Sequence, residues 1–262
     1  MLFEKPSLRT RVSFDVGVRQ LGGHSIYLSR DEVGLGGREP VADVARVLSR
    51  YVDAIIARTF SHQTLQELSQ YGSVPIINAL SDVEHPCQAL ADLQTIFEHK
   101  GYLNGLTVAF IGDGNNVATS LSLGAVYAGA NFVIASPEGY ELPTPFFQTV
   151  RQAALDHGAT ARQVNNPQDA AEGADVVYTD VWVSMGSEAE TEQRLRDFHG
   201  YQVNPKLMEL ANPGAIFMHD LPAHRGEEIS DGMLEHPQSV VFDQAENRLH
   251  AQKAALEFLL TQ

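Results

Sequence analysis

Short apolar runs rich in Val and Ile recur along the chain, each separated from the next by a longer stretch whose apolar residues are spaced as in a helix. Parallel strands need a long crossover between them, so this alternation implies an α/β fold with two doubly wound domains and mostly parallel sheets. The first strands are read at Ser25–Leu28, Ala54–Ala57 and Val74–Asn78, with helices expected at 8–21, 40–50 and 62–71. Met1-Leu2-Phe3 reads as the end of a strand that runs straight into a functional loop. A helix opens near Pro86, and the polar, Gly-containing stretch 99–105 then breaks the pattern. Beyond it lie strand candidates Thr107–Ile111, Phe132–Ala135, Val176–Thr179, Ala215–Met218 and a shorter Val240–Phe242, followed by a closing helix at Ala245–Leu260. The break divides the chain into residues 1–100 and 101–262.

Composition limits the partners. With 44% hydrophobic and 19% charged residues the chain is neither disordered nor collagen-like. Its net charge of −15 disfavours nonspecific binding to nucleic acid or anionic lipid, so an anionic ligand needs a local basic cluster. No apolar run reaches a membrane-spanning length. The single cysteine, Cys87, rules out an intrachain disulfide and a Cys-based zinc site, which fits a reducing cytoplasm.

Several polar segments fall at the carboxyl ends of expected strands or at helix starts. Ser7-Leu8-Arg9-Thr10-Arg11 precedes an amphipathic helix, where hydroxyl, guanidinium and backbone N–H groups would converge on a phosphate; an N-cap followed by surface arginines fits equally well. Arg58 follows its strand directly, where open α/β sheets bind ligands, although a solvated arginine is the commoner reading of such a residue alone. His85 and Gln88, three apart around the helix-starting Pro86, can face one small polar ligand or be incidental to the helix start. Cys87 between them is expected to be packed rather than reactive.

In the second half, Gly112-Asp113-Gly114-Asn115-Asn116 superficially suggests a dinucleotide loop. The third glycine of that pattern would fall at Val117, and Ser136-Pro137 rather than an acid follows the next strand, so a tight turn presenting Asn amides is the better reading. Asp180 with Ser184 suits an ammonium ligand, against the plain alternative of a solvated loop anchored by Trp182. The run from His219 to Gly226 is rich in ionisable groups, but nearness in sequence does not establish ligand geometry, and neither a metal nor an organic cofactor is assigned.

Taken together and in order, these segments resemble the transcarbamylase family. The resemblance rests on Phe3 to Arg11, His85-Pro86-Cys87-Gln88, Gly112 to Asn116, Asp180-Val181-Trp182-Val183-Ser184-Met185-Gly186, the Leu-Pro-Ala-His-Arg-Gly-Glu run from Leu221, and Ala245 to His250. The Ser-Met-Gly loop sides with the ornithine-using members rather than the aspartate-using ones. The resemblance implies a carbamoyl-phosphate domain, an ornithine domain whose C-terminal helix packs back on the first, and an active site in the cleft between them. It further implies that Ser7, Leu8, Arg9, Thr10, Gln88, Leu221 and Arg248 contact carbamoyl phosphate, together with Arg58, His85 and Asp220, which are also the catalytic residues. Asn116, Asp180, Ser184 and Met185 would hold ornithine. The products would be citrulline and phosphate, with no cofactor, and the assembly a cytoplasmic homotrimer or a higher assembly of trimers in arginine metabolism.

Three departures stand out. Leu8 replaces a frequent threonine and keeps only its backbone N–H. Asp220 stands where the family usually has cysteine, which retains a backbone carbonyl for the carbamoyl amide but adds negative charge, and altered substrate handling is expected. The family's N-terminal helical segment and first strand would precede the phosphate motif, so the first domain is expected to lack part of its core and to expose a sheet edge and an apolar face. Transfer to another amine, such as putrescine or an acylated ornithine, and a catalytically silent carbamoyl-phosphate-binding regulator are the competing readings.

Overall fold

The computed structural model describes residues 1–184, 186 and 188–261. The chain forms two compact units, Met1–Ala91 with Glu246–Gln262, and Asp92–Ala245. The sheet in the first unit has four parallel strands in the order β2-β1-β3-β4: β1 is Leu2–Phe3, β2 Leu28–Ser29, β3 Ile55–Arg58 and β4 Ile76–Leu80. Ile55 and Ala57 pack with Leu2, Val41, Leu65 and Leu68 on one face, whereas Ile56 joins Phe14, Ile77 and Cys87 on the other. A strand buried on both faces must be apolar at every position, which is why 54–57 reads as an unbroken run. β1 lies inside this sheet, between β2 and β3, and β2 and β4 form the edges.

The second unit repeats the plan with five parallel strands in the order β7-β6-β5-β8-β9. Their ranges are Thr107–Ile111 for β5, Asn131–Ala135 for β6, Ala161–Val164 for β7, Val176–Thr179 for β8 and Ile216–His219 for β9. Val108 and Phe110 face one buried cluster, Ala109 and Ile111 the other. Among the described residues no helix is long and apolar enough to cross a membrane.

Two local expectations are revised and one strand was not foreseen. β2 sits at Leu28–Ser29 instead of Ser25–Leu28, where Leu28 and Ser29 pair with Leu2 and Phe3. Val240–Phe242 is no strand: only Ser239 makes an isolated bridge, to Phe217, and the helix Val241–Leu260 begins there. β7, with Arg162 and Gln163 at its centre, escapes apolar-run reading because an edge strand has one neighbour and tolerates polar side chains.

In an open parallel sheet, ligands bind beyond the carboxyl ends of strands where the chain's winding reverses. The first unit reverses between β1 and β3, and the second between β5 and β8. The segments after those four strands carry most of the residues singled out by sequence.

Candidate functional site

In the first unit the register aligns Phe3 with Arg58 and Arg58 with Leu80, so the chain leaves β1, β3 and β4 at one edge of the sheet. After β1, the Glu4 N–H donates to the Arg58 carbonyl (2.8 Å), and the Glu4 carboxylate accepts from the Phe60 N–H (2.8 Å). These bonds tie the β1 loop to the β3 loop and deliver Ser7 to the start of helix Leu8–Gln20. Ser7 caps that helix, its hydroxyl oxygen accepting from the Thr10 N–H at 3.3 Å, a bond worth ~1 kcal/mol. The N–H groups of Leu8 and Arg9 belong to the first turn, which has no intrahelical acceptors, and the helix dipole adds positive potential there.

Arg248, on helix Val241–Leu260, is 4% exposed and gathers this set. One of its terminal nitrogens donates to Gln88 Oε1 and the other to Thr10 Oγ1 at 3.2 Å. Arg58 and His85 are equally buried. Pro86 opens helix Pro86–Lys100, so His85 sits where strand β4's connection turns into a helix and Gln88 lies one turn on. The His85 ring is held well below its ordinary pKa, first by burial and then by the guanidinium charges of Arg248 and Arg58. Thus a neutral imidazole lies among cations, an anion-receptive group, and Arg9 on the first turn of helix Leu8–Gln20 is half-buried. Leu8 points to solvent at 76% exposure, leaving its backbone as its only contribution.

The second unit builds a different site. After β5, Gly112 has a φ of +147°, and a Cβ on Gly114 would lie 2.4 Å from the Leu142 backbone nitrogen, so no side chain fits at the second glycine. The turn places Asn115 as N-cap of helix Asn116–Tyr127, its Oδ1 accepting from the N–H groups of Val117 (3.0 Å) and Ala118 (3.1 Å). The Asn115 amide nitrogen in turn donates to Asp180 Oδ2 at 2.7 Å, and Asp180 Oδ1 accepts from the Val181 N–H at 2.7 Å. The carboxylate that follows β8 is thereby fixed by the turn that follows β5. Asn116 occupies the first helical position beside it.

Ser184 is half-buried on the loop beyond Trp182, and Met185 lies outside the described residues. Arg194 steadies this loop from helix Thr191–Asp197, donating to the Trp182 carbonyl (3.0 Å) and to Asp113 (2.7 Å). Burial raises the Asp113 pKa while Arg194 opposes the shift.

Asp220 and Leu221 follow β9. A carboxylate oxygen from each of Asp180 and Asp220 and a ring nitrogen of His219 lie within 4.8 Å of one another, as do donor atoms of His224, Glu227 and Glu228. The first group is a poor metal cage: His219 Nδ1 accepts from the Leu221 N–H (2.9 Å) and its Nε2 faces Glu228 Oε1 (3.0 Å), so the ring has no lone pair to offer. Beneath the site, Tyr178 donates to Asp92 (3.2 Å), and Gln244 donates to both Asp92 (2.7 Å) and the Tyr178 hydroxyl (3.0 Å). Burial, then the charges of Asp92, Asp220 and Asp180, holds the Tyr178 phenol well above its ordinary pKa.

Ser7, Thr10, Gln88 and Arg248 are thus linked within the first unit, with the charges of Arg58 and Arg248 acting on His85; Asp180 and Asp220 are neighbours in the second. Arg194, Tyr178 and Glu228 escaped the sequence reading. Asn115 was read there only as one of two Asn amides presented by a tight turn, and its capping of the helix and its bond to Asp180 were not foreseen.

Residues 1–98 match the family model of the aspartate/ornithine carbamoyltransferase carbamoyl-P binding domain, and residues 104–259 match that of the Asp/Orn binding domain. The ornithine carbamoyltransferase of Thermococcus kodakarensis is 54% identical over 260 residues, covering 99% of this chain and 82% of that protein. An anabolic ornithine carbamoyltransferase of Pyrococcus furiosus is 52% identical, with the same two coverages of 99% and 82%. The solved structure of the ornithine carbamoyltransferase from Pyrococcus furiosus superposes with a TM-score of 0.97 over 100% of this chain and 83% of that one, at 52% identity. The one from Thermus thermophilus gives 0.89 over 99% and 84%, at 49% identity.

Proposed function

This chain belongs to the aspartate/ornithine carbamoyltransferase family, and from that premise we propose that it transfers the carbamoyl group of carbamoyl phosphate to the δ-amine of L-ornithine, releasing citrulline and phosphate. The observation that carries the reading is the buried set of the first unit, in which Arg248 bonds Gln88 and Thr10 while a neutral His85 lies in the field of Arg58 and Arg248.

Phosphate oxygens meet the N-terminus of helix Leu8–Gln20 through the N–H groups of Leu8 and Arg9, the hydroxyls of Ser7 and Thr10, and the Arg9 guanidinium. Arg58 and neutral His85 donate to the carbamoyl oxygen, Gln88 and Arg248 orient the carbamoyl group, and the Asp220–Leu221 backbone accepts from its amide. The deprotonated δ-amine attacks the carbonyl carbon, and the oxygen of the tetrahedral intermediate draws on Arg58 and His85, where removing one such donor costs ~3 kcal/mol. The C–O bond to phosphate then breaks with its electron pair on the leaving oxygen, and the nitrogen's surplus proton passes to phosphate or solvent. Asp180 takes the α-ammonium, and Asn116, Ser184 and Met185 take the rest of the amino-acid end. Residues 1–100, joined by the C-terminal helix from Glu246 on, form the carbamoyl-phosphate domain, and the remainder of 101–262 forms the ornithine domain. The protein acts as a cytoplasmic homotrimer in arginine metabolism, the trimer and compartment resting on family resemblance.

The test is citrulline formation from carbamoyl phosphate and ornithine, run beside putrescine and N-acetylornithine as acceptors. Ornithine is expected to be the preferred acceptor. Preference for another amine would reassign the second unit's ligand, and carbamoyl-phosphate binding without turnover of any amine would replace the enzyme by a silent binding protein.

A further inference from the structure

We infer that Glu228, acting through His219, is a positioning residue that holds the Asp220–Leu221 segment in shape; its kinetic consequence rests on the carbamoyl-transfer reading, its geometry does not. Among the described residues Leu221 is the one non-glycine residue with a left-handed backbone, φ +58°. A leucine there costs roughly 1–2 kcal/mol and persists only if its surroundings hold it.

The Leu221 N–H donates to His219 Nδ1 at 2.9 Å, which commits that nitrogen to accepting and leaves the ring proton on Nε2. Nε2 then donates to Glu228 Oε1 at 3.0 Å. Both side chains are wholly buried. The same carboxylate oxygen accepts from the His224 N–H, so Glu228 grips the segment at both ends.

The grip is anchored. The Glu228 carbonyl accepts from the Val203 N–H at 2.8 Å, and Ile229 is buried in the core beside it. On the other side the His219 N–H donates to Gln244 Oε1 at 2.9 Å, joining the Asp92–Tyr178–Gln244 network. A carboxylate one step removed from Asp220 thus sets the ring tautomer, and the tautomer sets the backbone turn that presents Asp220 and Leu221.

The experiment compares Glu228→Gln, whose side-chain oxygen can still accept both bonds, with Glu228→Leu, which has similar volume and accepts none. Citrulline kinetics are measured where urea unfolding shows each variant folded. Glu228→Gln is expected within about threefold of wild type, and Glu228→Leu about ten- to a hundredfold lower in kcat/KM for carbamoyl phosphate, as misplacement of a reacting segment by about 1 Å would give. A folded Glu228→Leu with wild-type kcat/KM, or a Glu228→Gln as impaired as Glu228→Leu, would overturn the inference. Ring 15N shifts of His219 in the wild-type protein, assigned against His219→Asn, give a second readout. A proton on Nε2 is expected, and one on Nδ1 overturns the inference whether or not the leucine variant folds. Should the wild-type protein form no citrulline, the reaction reading fails while the ring shifts still decide the geometry.

Discussion

His85 offers the sharpest test of the first unit's electrostatics. Its ring is 3% exposed, and burial together with Arg248 and Arg58 keeps it neutral well below its ordinary pKa of 6.5. In the unfolded chain the same ring takes up a proton near that ordinary value, so below pH 6.5 the unfolded state binds more protons and stability falls with falling pH. The contribution is negligible at pH 7.5 and reaches about 1.4 kcal/mol at pH 5.5, one unit below the unfolded value. His85→Gln removes this term and leaves the other nine histidines untouched. Urea unfolding of both proteins at pH 7.5, 6.5 and 5.5 should therefore show the wild type losing about 1.4 kcal/mol more than the variant across the series. Parallel losses, or a His85 ring resonance that titrates near 6.5, would refute the picture of a neutral imidazole among cations. In that case His85 would meet substrate as a cation, and the charge assigned to the carbamoyl oxygen's donors would change.

Two further outcomes follow from the second unit's turn and the buried thiol. Asn115→Ala removes an N-cap and the bond to Asp180, and should lower stability by roughly 1–2 kcal/mol while raising KM for ornithine several-fold and leaving KM for carbamoyl phosphate near wild type; urea midpoints and steady-state kinetics check both halves. Burial pushes the Cys87 thiol up to about 11, so it should resist a thiol-specific disulfide reagent at pH 8 in the native protein and react only on unfolding, followed by absorbance.

Much of the fold was legible because strands buried on both faces have to be apolar throughout: Thr107–Ile111 and Val176–Thr179 are read from the sequence with the bounds they have in the structure. Elements with fewer neighbours were not. The polar edge strand Ala161–Val164 left no apolar run, and Val240–Phe242 mimicked a strand while starting a helix.

The order of motifs determined the family by itself, since each motif encodes a local turn or helix start that survives in the linear chain. Which side chains meet was decided only by tertiary structure. Arg248 reaches Thr10 across 238 positions and Gln88 across 160, and Asn115 meets Asp180 across 65, because the strands that carry them are neighbours in the sheet or because a distant helix packs beside them. Composition cannot encode such pairings, for a hydrogen bond depends on distance in space and the sequence records only distance along the chain. The same holds for the −15 net charge: it excludes a general anion-binding surface, while the tertiary structure gathers Arg58 and Arg248 around His85 into the local exception.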